Sequence, residues 1–146
     1  MAKKAIYFIL EELVCKHVSD KYGQTAWQFL DPRLITTLDW IRKEIGKPIE
    51  INTYSWGGGD TQSGLRCNLC NLVKSKTDKD IVYMSGHCEG QAADFSVEGM
   101  TAEEVREWLK QHESRLPYPI RLEAGVSWVH LDCREVSGIR IYIFNP

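Results

Sequence analysis

Apolar residues recur at Leu34, Leu38, Ile41 and Ile45. This one-sided spacing predicts an amphipathic helix over 33–45. Asp31-Pro32 supplies an N-cap and a proline at the first helical position, and Gly46 followed by Lys47-Pro48 ends the helix. Mixed helical spacing over Ile6 to His17 predicts one short helix. Thr101-Ala102-Glu103-Glu104 reads as a capping box opening a helix to about Gln111, with Val105, Trp108 and Leu109 on its buried stripe. Alternation over Ile49 to Tyr54 predicts a strand. Ala92 to Val97 reads as a short buried strand carrying Asp94 inward. Three more strand candidates follow at Ile120–Glu123, Trp128–Cys133 and Ile139–Phe144, with turns at Ala124-Gly125-Val126 and Ser137-Gly138. Gly57-Gly58-Gly59 lacks the GK[ST] of a phosphate loop and reads as a surface loop; Asn68 to Met84 reads as polar and irregular. The expected architecture is one α+β domain over 1–146, with helices first and then an antiparallel sheet of four to five strands flanked by helices.

Composition changes this picture little. Of 146 residues, 43% are hydrophobic and 26% charged, and the formal net charge is -2 with no basic run. That favours a soluble globular chain and gives no reason to expect a nucleic-acid or membrane partner. The apolar start, Ile6 to Leu10, stops at Glu11-Glu12 without a small-residue cleavage site, so it reads as mature protein made in the cytoplasm without a signal peptide. Five cysteines without such a signal argue for reduced thiols. Cys67-Asn68-Leu69-Cys70 has the spacing of half a zinc knuckle. No second CxxC or HxxxH completes it, so it reads as a loop with two thiols. His17 and His112 lie in polar helical contexts and read as structural or surface residues.

The candidate chemistry lies in Ser85-Gly86-His87-Cys88-Glu89-Gly90-Gln91-Ala92-Ala93-Asp94 and Trp128-Val129-His130-Leu131-Asp132. His87, Asp94 and His130 would form a three-ligand zinc set with one coordination position open, the layout of a hydrolytic rather than a structural zinc. Gly90, Ala92 and Ala93 would let the chain approach the metal centre and the neighbouring strand. Taken alone, the spacing is as compatible with satisfied structural histidines as with a metal set.

The segment Ser85-x-His87-x-x-Gly90-x-Ala92-x-Asp94 resembles the SxHxxGxAxD motif of the zinc D-alanyl-D-alanine carboxypeptidase family. That family includes phage peptidoglycan endopeptidases and, structurally, the hedgehog signalling domain. Trp128-x-His130-x-Asp132 resembles its second-histidine motif, Ser63-Gly64-Leu65-Arg66 its substrate-facing SGxR segment, and Phe8-x-x-Glu11-Glu12-Leu13 its N-terminal helix. The resemblance implies the family's sheet-and-helix fold, zinc as the cofactor, and hydrolysis of peptide bonds in peptidoglycan stem peptides. The enzyme would be a carboxypeptidase or an endolysin-type endopeptidase, a monomer acting at the cell wall if it is a phage lysin.

One position departs from the family. Many members place a catalytic glutamate three residues before the second histidine, where this chain has Ser127. Glu123 is the expected base, because a hairpin through Gly125 would return it beside His130. Asp132 is the second candidate, or else orients His130 from behind; Glu89 is the third. Arg66 is expected to supply positive charge to the oxyanion or to a substrate carboxylate, with Gln62, Ser63 and Ser85 binding substrate and Tyr54 and Trp56 lining the cleft. Cys88 should point away from the metal. The alternatives are a non-catalytic zinc-binding module, as in hedgehog, and a cytosolic dipeptidase.

Overall fold

The computed structural model describes residues 1–77, 80–136 and 138–146. Its helices are α1 (Leu10–Leu13), α2 (Lys16–Tyr22), α3 (Pro32–Ile45), α4 (Asn71–Thr77) and α5 (Ala102–Gln111). Its strands are β1 (Ile49–Glu50), β2 (Ala92–Val97), β3 (Ile120–Glu123), β4 (Val129–Asp132) and β5 (Ile141–Phe144). No helix among the described residues is long and apolar enough to cross a membrane.

The strongest sequence signals hold. Asp31 caps α3 by accepting the Arg33 N–H, Pro32 opens the helix, and Gly46 closes it in the left-handed conformation. Thr101 and Glu104 form the reciprocal capping box of α5.

Weaker signals gave way to tertiary contacts. The single helix expected over Ile6 to His17 is two, because Val14 bridges Leu65 in parallel and the Cys15 N–H donates to the Leu65 carbonyl at 2.9 Å. The strand expected to reach Tyr54 stops at Glu50: the Asn52 and Thr53 N–H groups donate to the Glu12 and Asp60 carbonyls instead. The segment expected to be irregular contains α4, which buries only Val73 and so has no apolar stripe to announce it. The turn expected at Ser137-Gly138 includes Ser137, which lies outside the described residues.

The sheet has the order β1-β2-β4-β3-β5. It is mixed, not purely antiparallel as expected. β1–β2, β2–β4 and β3–β4 are antiparallel, but the chain leaving β4 passes β3 and adds β5 parallel to it on the outer side.

Strand alternation divides the sheet into two faces. Phe95 and Val97 of β2, Val129 and Leu131 of β4, and Ile120 and Leu122 of β3 join Leu34, Ile35, Leu38 and Ile41 of α3 and Val105 and Leu109 of α5 in one buried cluster. The intervening positions carry the polar residues: Asp94 and Ser96, His130 and Asp132, Arg121 and Glu123. Asp94 therefore projects away from the packed core, not into it as the strand reading expected. Full burial of six such apolar side chains, at roughly 1.5–3 kcal/mol each, fixes the register strongly. A one-residue slip would bury Asp94 and His130 and expose Phe95 and Val129.

Candidate metal centre

The β2–β4 register pairs Asp94 with His130. Directly opposed residues of antiparallel strands share a face, so the pairing alone brings carboxylate and imidazole together. His130 Nδ1 lies 2.9 Å from Asp94 Oδ1. His87 arrives from the turn before β2, and its Nε2 lies 3.3 Å from Asp94 Oδ2. One donor atom from each of His87, Asp94 and His130 lies within 4.8 Å of the others.

The outward nitrogen of each imidazole is held. His87 Nδ1 lies 2.9 Å from the Gly64 carbonyl, an acceptor only, so it carries the proton and leaves Nε2 free to ligate. His130 Nε2 lies 2.9 Å from Asp132 Oδ2, which leaves Nδ1 on the Asp94 side. Asp132 is itself clamped by Arg121 through two bonds of 2.7 and 2.9 Å. Such outer partners fix tautomer and ring orientation in metal sites. The donor set and its supports thus fit a divalent metal such as zinc.

Protonation in the metal-free chain follows from these contacts. Burial works to raise Asp94, but hydrogen bonds to His130 and His87 hold its carboxyl well below the usual carboxylate range. Burial works to lower His130, yet bonds to Asp132 and Asp94 outweigh it and push the imidazole up to about 9. Asp132, raised by burial but bonded to His130 and Arg121, falls to about 2.

The other residues around the centre fall into three groups. Ser63 lines a cavity of about 270 Å³ beside Asp94, together with Glu50, Asp60 and Trp128. Its carbonyl also accepts the Asp94 N–H at 2.7 Å. Glu123 stands one register step beyond the Leu122–Leu131 pair, which sets it opposite His130 on the same face. Its carboxylate makes no hydrogen bond or ion pair among the described residues. Arg66 packs beside the centre, donating to Asp94 Oδ2 at 3.1 Å and to the Gln62 carbonyl.

The second group is engaged elsewhere. Asp132 is 1% exposed, and both its oxygens are occupied by Arg121, His130 and the Arg134 N–H, so it orients His130 and has no free oxygen for a base. The Ser85 hydroxyl accepts the His87 N–H at 3.2 Å, shaping the turn that delivers His87. The Gln62 amide oxygen accepts the Leu72 N–H at the start of α4. Glu89 is paired with Arg134 at 3.0 Å. Tyr54 donates its hydroxyl to the Val14 carbonyl, while Trp56 is 52% exposed. Gly90 serves a backbone approach rather than the metal: its φ is +69°, and a Cβ there would lie 2.0 Å from the Phe29 carbonyl oxygen. Cys88 lies outside the donor set.

The third group was not anticipated. Glu50 of β1 pairs with Ser96, which shares a face with Asp94, so it brings an exposed carboxylate to the cleft. Alternation in β1 could have placed its face, but not its neighbour. Arg106 of α5 is buried and donates to the carbonyls of Glu123, Val126 and Trp128, propping the β3–β4 turn that leads into the cleft residue Trp128. Cys15, His17, Cys67 and Cys70 form a second group able to hold a metal ion, again with donor atoms all within 4.8 Å. His17, read as a surface or structural residue, and the CxxC, read as a loop with two thiols, are thus brought together with Cys15 by the fold. Compared with protein-family models, curated proteins and solved structures, the chain matches none.

Proposed function

We propose that this chain is a zinc-dependent peptidase of the D-alanyl-D-alanine carboxypeptidase and hedgehog type, acting on peptide bonds of peptidoglycan stem peptides. The observation that carries the reading is the convergence of His87, Asp94 and His130, both imidazoles held from behind, beside a cleft lined by unpaired carboxylate. Three protein donors leave a coordination position for a reactant, as hydrolytic sites do. Zinc held there supplies Lewis acidity and a water acidified toward neutrality.

The chain's own residues do the rest. Glu123, opposite His130, is the preferred general base, accepting a proton from the attacking water and returning it to the leaving amine. Glu50, which lines the cleft that Asp94 also lines, is the alternative. Asp132 keeps His130 in its ligating tautomer and Gly64 does the same for His87. Arg66 balances the Asp94 charge and offers its remaining N–H groups to a substrate carboxylate or oxyanion. Ser63 and Trp128 form the wall along which a peptide would lie.

Incubating zinc-loaded protein with purified peptidoglycan fragments, with mass spectrometry of the products, tests the reading. Defined cleavage products that vanish in His130→Ala support it and identify the bond cut. Intact fragments under all conditions, with zinc bound, would favour a non-catalytic zinc module instead. The specific observation behind that second reading is Ser127, which is exposed and leaves the usual glutamate position without a carboxylate.

A further inference from the structure

Cys15 and His17 flank the start of α2, and Cys67 and Cys70 form the turn that leads into α4, some fifty residues later. His17 Nδ1 lies 3.6 Å from Cys67 Sγ and 3.9 Å from Cys70 Sγ. Bond lengths of about 2.3 Å to sulfur and 2.0–2.1 Å to nitrogen, at tetrahedral angles, place such donors about 3.6 Å apart around one zinc. The observed spacings match that separation before any adjustment. All three thiols are free.

Independent features of the backbone prepare the same point. The Leu65 N–H donates to the Leu13 carbonyl at 2.8 Å and the Cys15 N–H to the Leu65 carbonyl at 2.9 Å, so the two donor segments are laced together just beside the cluster. Within the CxxC turn the Cys70 N–H donates to the Cys67 carbonyl at 3.1 Å, and the Leu69 N–H points at Cys67 Sγ at 3.4 Å. A backbone N–H directed at sulfur favours the ligating thiolate. Gly64 belongs to the same strip: a Cβ there would lie 2.2 Å from the Leu13 carbonyl oxygen, so only glycine allows this approach.

We propose that Cys15, His17, Cys67 and Cys70 bind a second zinc ion in a closed structural site. Three thiolates and an imidazole fill a tetrahedral shell and leave no position for substrate, in contrast to the open set at His87, Asp94 and His130. Cys67 directly follows Arg66, and Gly64 holds His87, so the second zinc clamps the strip that supports the first centre. The proposal does not depend on hydrolysis and stands if the peptidase reading fails.

Two measurements on the full chain, purified under reducing conditions, test it. Metal analysis should give two zinc ions per chain, falling to one in Cys67→Ser/Cys70→Ser and also to one in His87→Ala/His130→Ala. Cobalt(II) substitution of the wild-type chain should give a sulfur-to-cobalt charge-transfer band that survives His87→Ala/His130→Ala and is absent from the double-serine variant. His17→Cys should retain the band and His17→Ala should weaken zinc retention against a chelator. A cobalt-loaded wild type without that band would overturn the proposal even if every cysteine variant failed to fold. So would a disulfide within the cluster, or zinc content unchanged in the serine variant.

Discussion

The two donor clusters are built in opposite ways. The histidine–aspartate centre stands on paired strands and the turn before them, where register fixes Asp94 against His130, and the Gly64 carbonyl and the Asp132 carboxylate hold the rings of His87 and His130. The cysteine cluster stands on the ends of two seven-residue helices and a tight turn, joined by a short backbone bridge. On the proposed reading, the first would keep a coordination position open, whereas the second would close around four donors carried by elements too short to be stable alone. The first is positioned by strand register; the second would help to position it.

The largest effect should separate the carboxylates at the open centre. Glu123→Gln should lower hydrolysis by about 10²–10⁴-fold with zinc content unchanged, the range for loss of a general base. Glu50→Gln should lower it far less. The reverse ranking, measured as kcat/KM on a defined stem peptide, would move the base to the β1 side of the cleft.

Next is a pH response of the metal-free chain. Its fold favours protonated His130, pushed up to about 9, so that stabilisation is complete below pH about 6.5 and is lost as pH rises through 9. It favours ionised Asp132, lowered to about 2, so that contribution is present above pH about 4 and is lost as pH falls through 2. Denaturant titrations after chelation should therefore show greatest stability between about pH 4 and 6.5, with an alkaline decline on the order of 3 kcal/mol at most. Excess zinc, which binds neutral imidazole, should remove that decline, and its affinity should weaken as pH falls below 9. A metal-free chain with equal stability at pH 6 and pH 10 would contradict the pairing of His130 with its two carboxylates.

The smallest of these effects concerns support rather than ligation. Asp132→Asn should weaken zinc at the open centre by about 10–100-fold while leaving the cysteine cluster loaded. Competition with a chelator, followed by counting the zinc retained, measures both sites in one titration. Equal loss from both would mean that Asp132 acts on the whole fold.

The contrast between the clusters also explains what the sequence made legible. His87, Asp94 and His130 lie in short motifs on or beside strands whose alternation and small residues could be read directly, and α3 and α5 carried their caps in the chain. Cys15, His17 and Cys67 were invisible as a set because nothing local says that Leu65 will bridge Val14. The same bridge split the expected N-terminal helix. α4 went unread because one buried valine gives no period, and the parallel β5 because alternation fixes a strand's face and not its neighbour. Asp132 and Ser85 were recognised as near the centre, but their hydrogen-bond partners, which decide what they do, come from Arg121 and from the turn geometry.

X-ray absorption at the zinc edge tests the two-centre account most directly. The wild-type chain should show a mixed shell of sulfur at about 2.3 Å and nitrogen or oxygen at about 2.0–2.1 Å. His87→Ala/His130→Ala should leave one zinc with three sulfurs and one nitrogen, and Cys67→Ser/Cys70→Ser one zinc with nitrogen and oxygen alone. A wild-type spectrum without sulfur, or the same shell remaining in both variants, would contradict it.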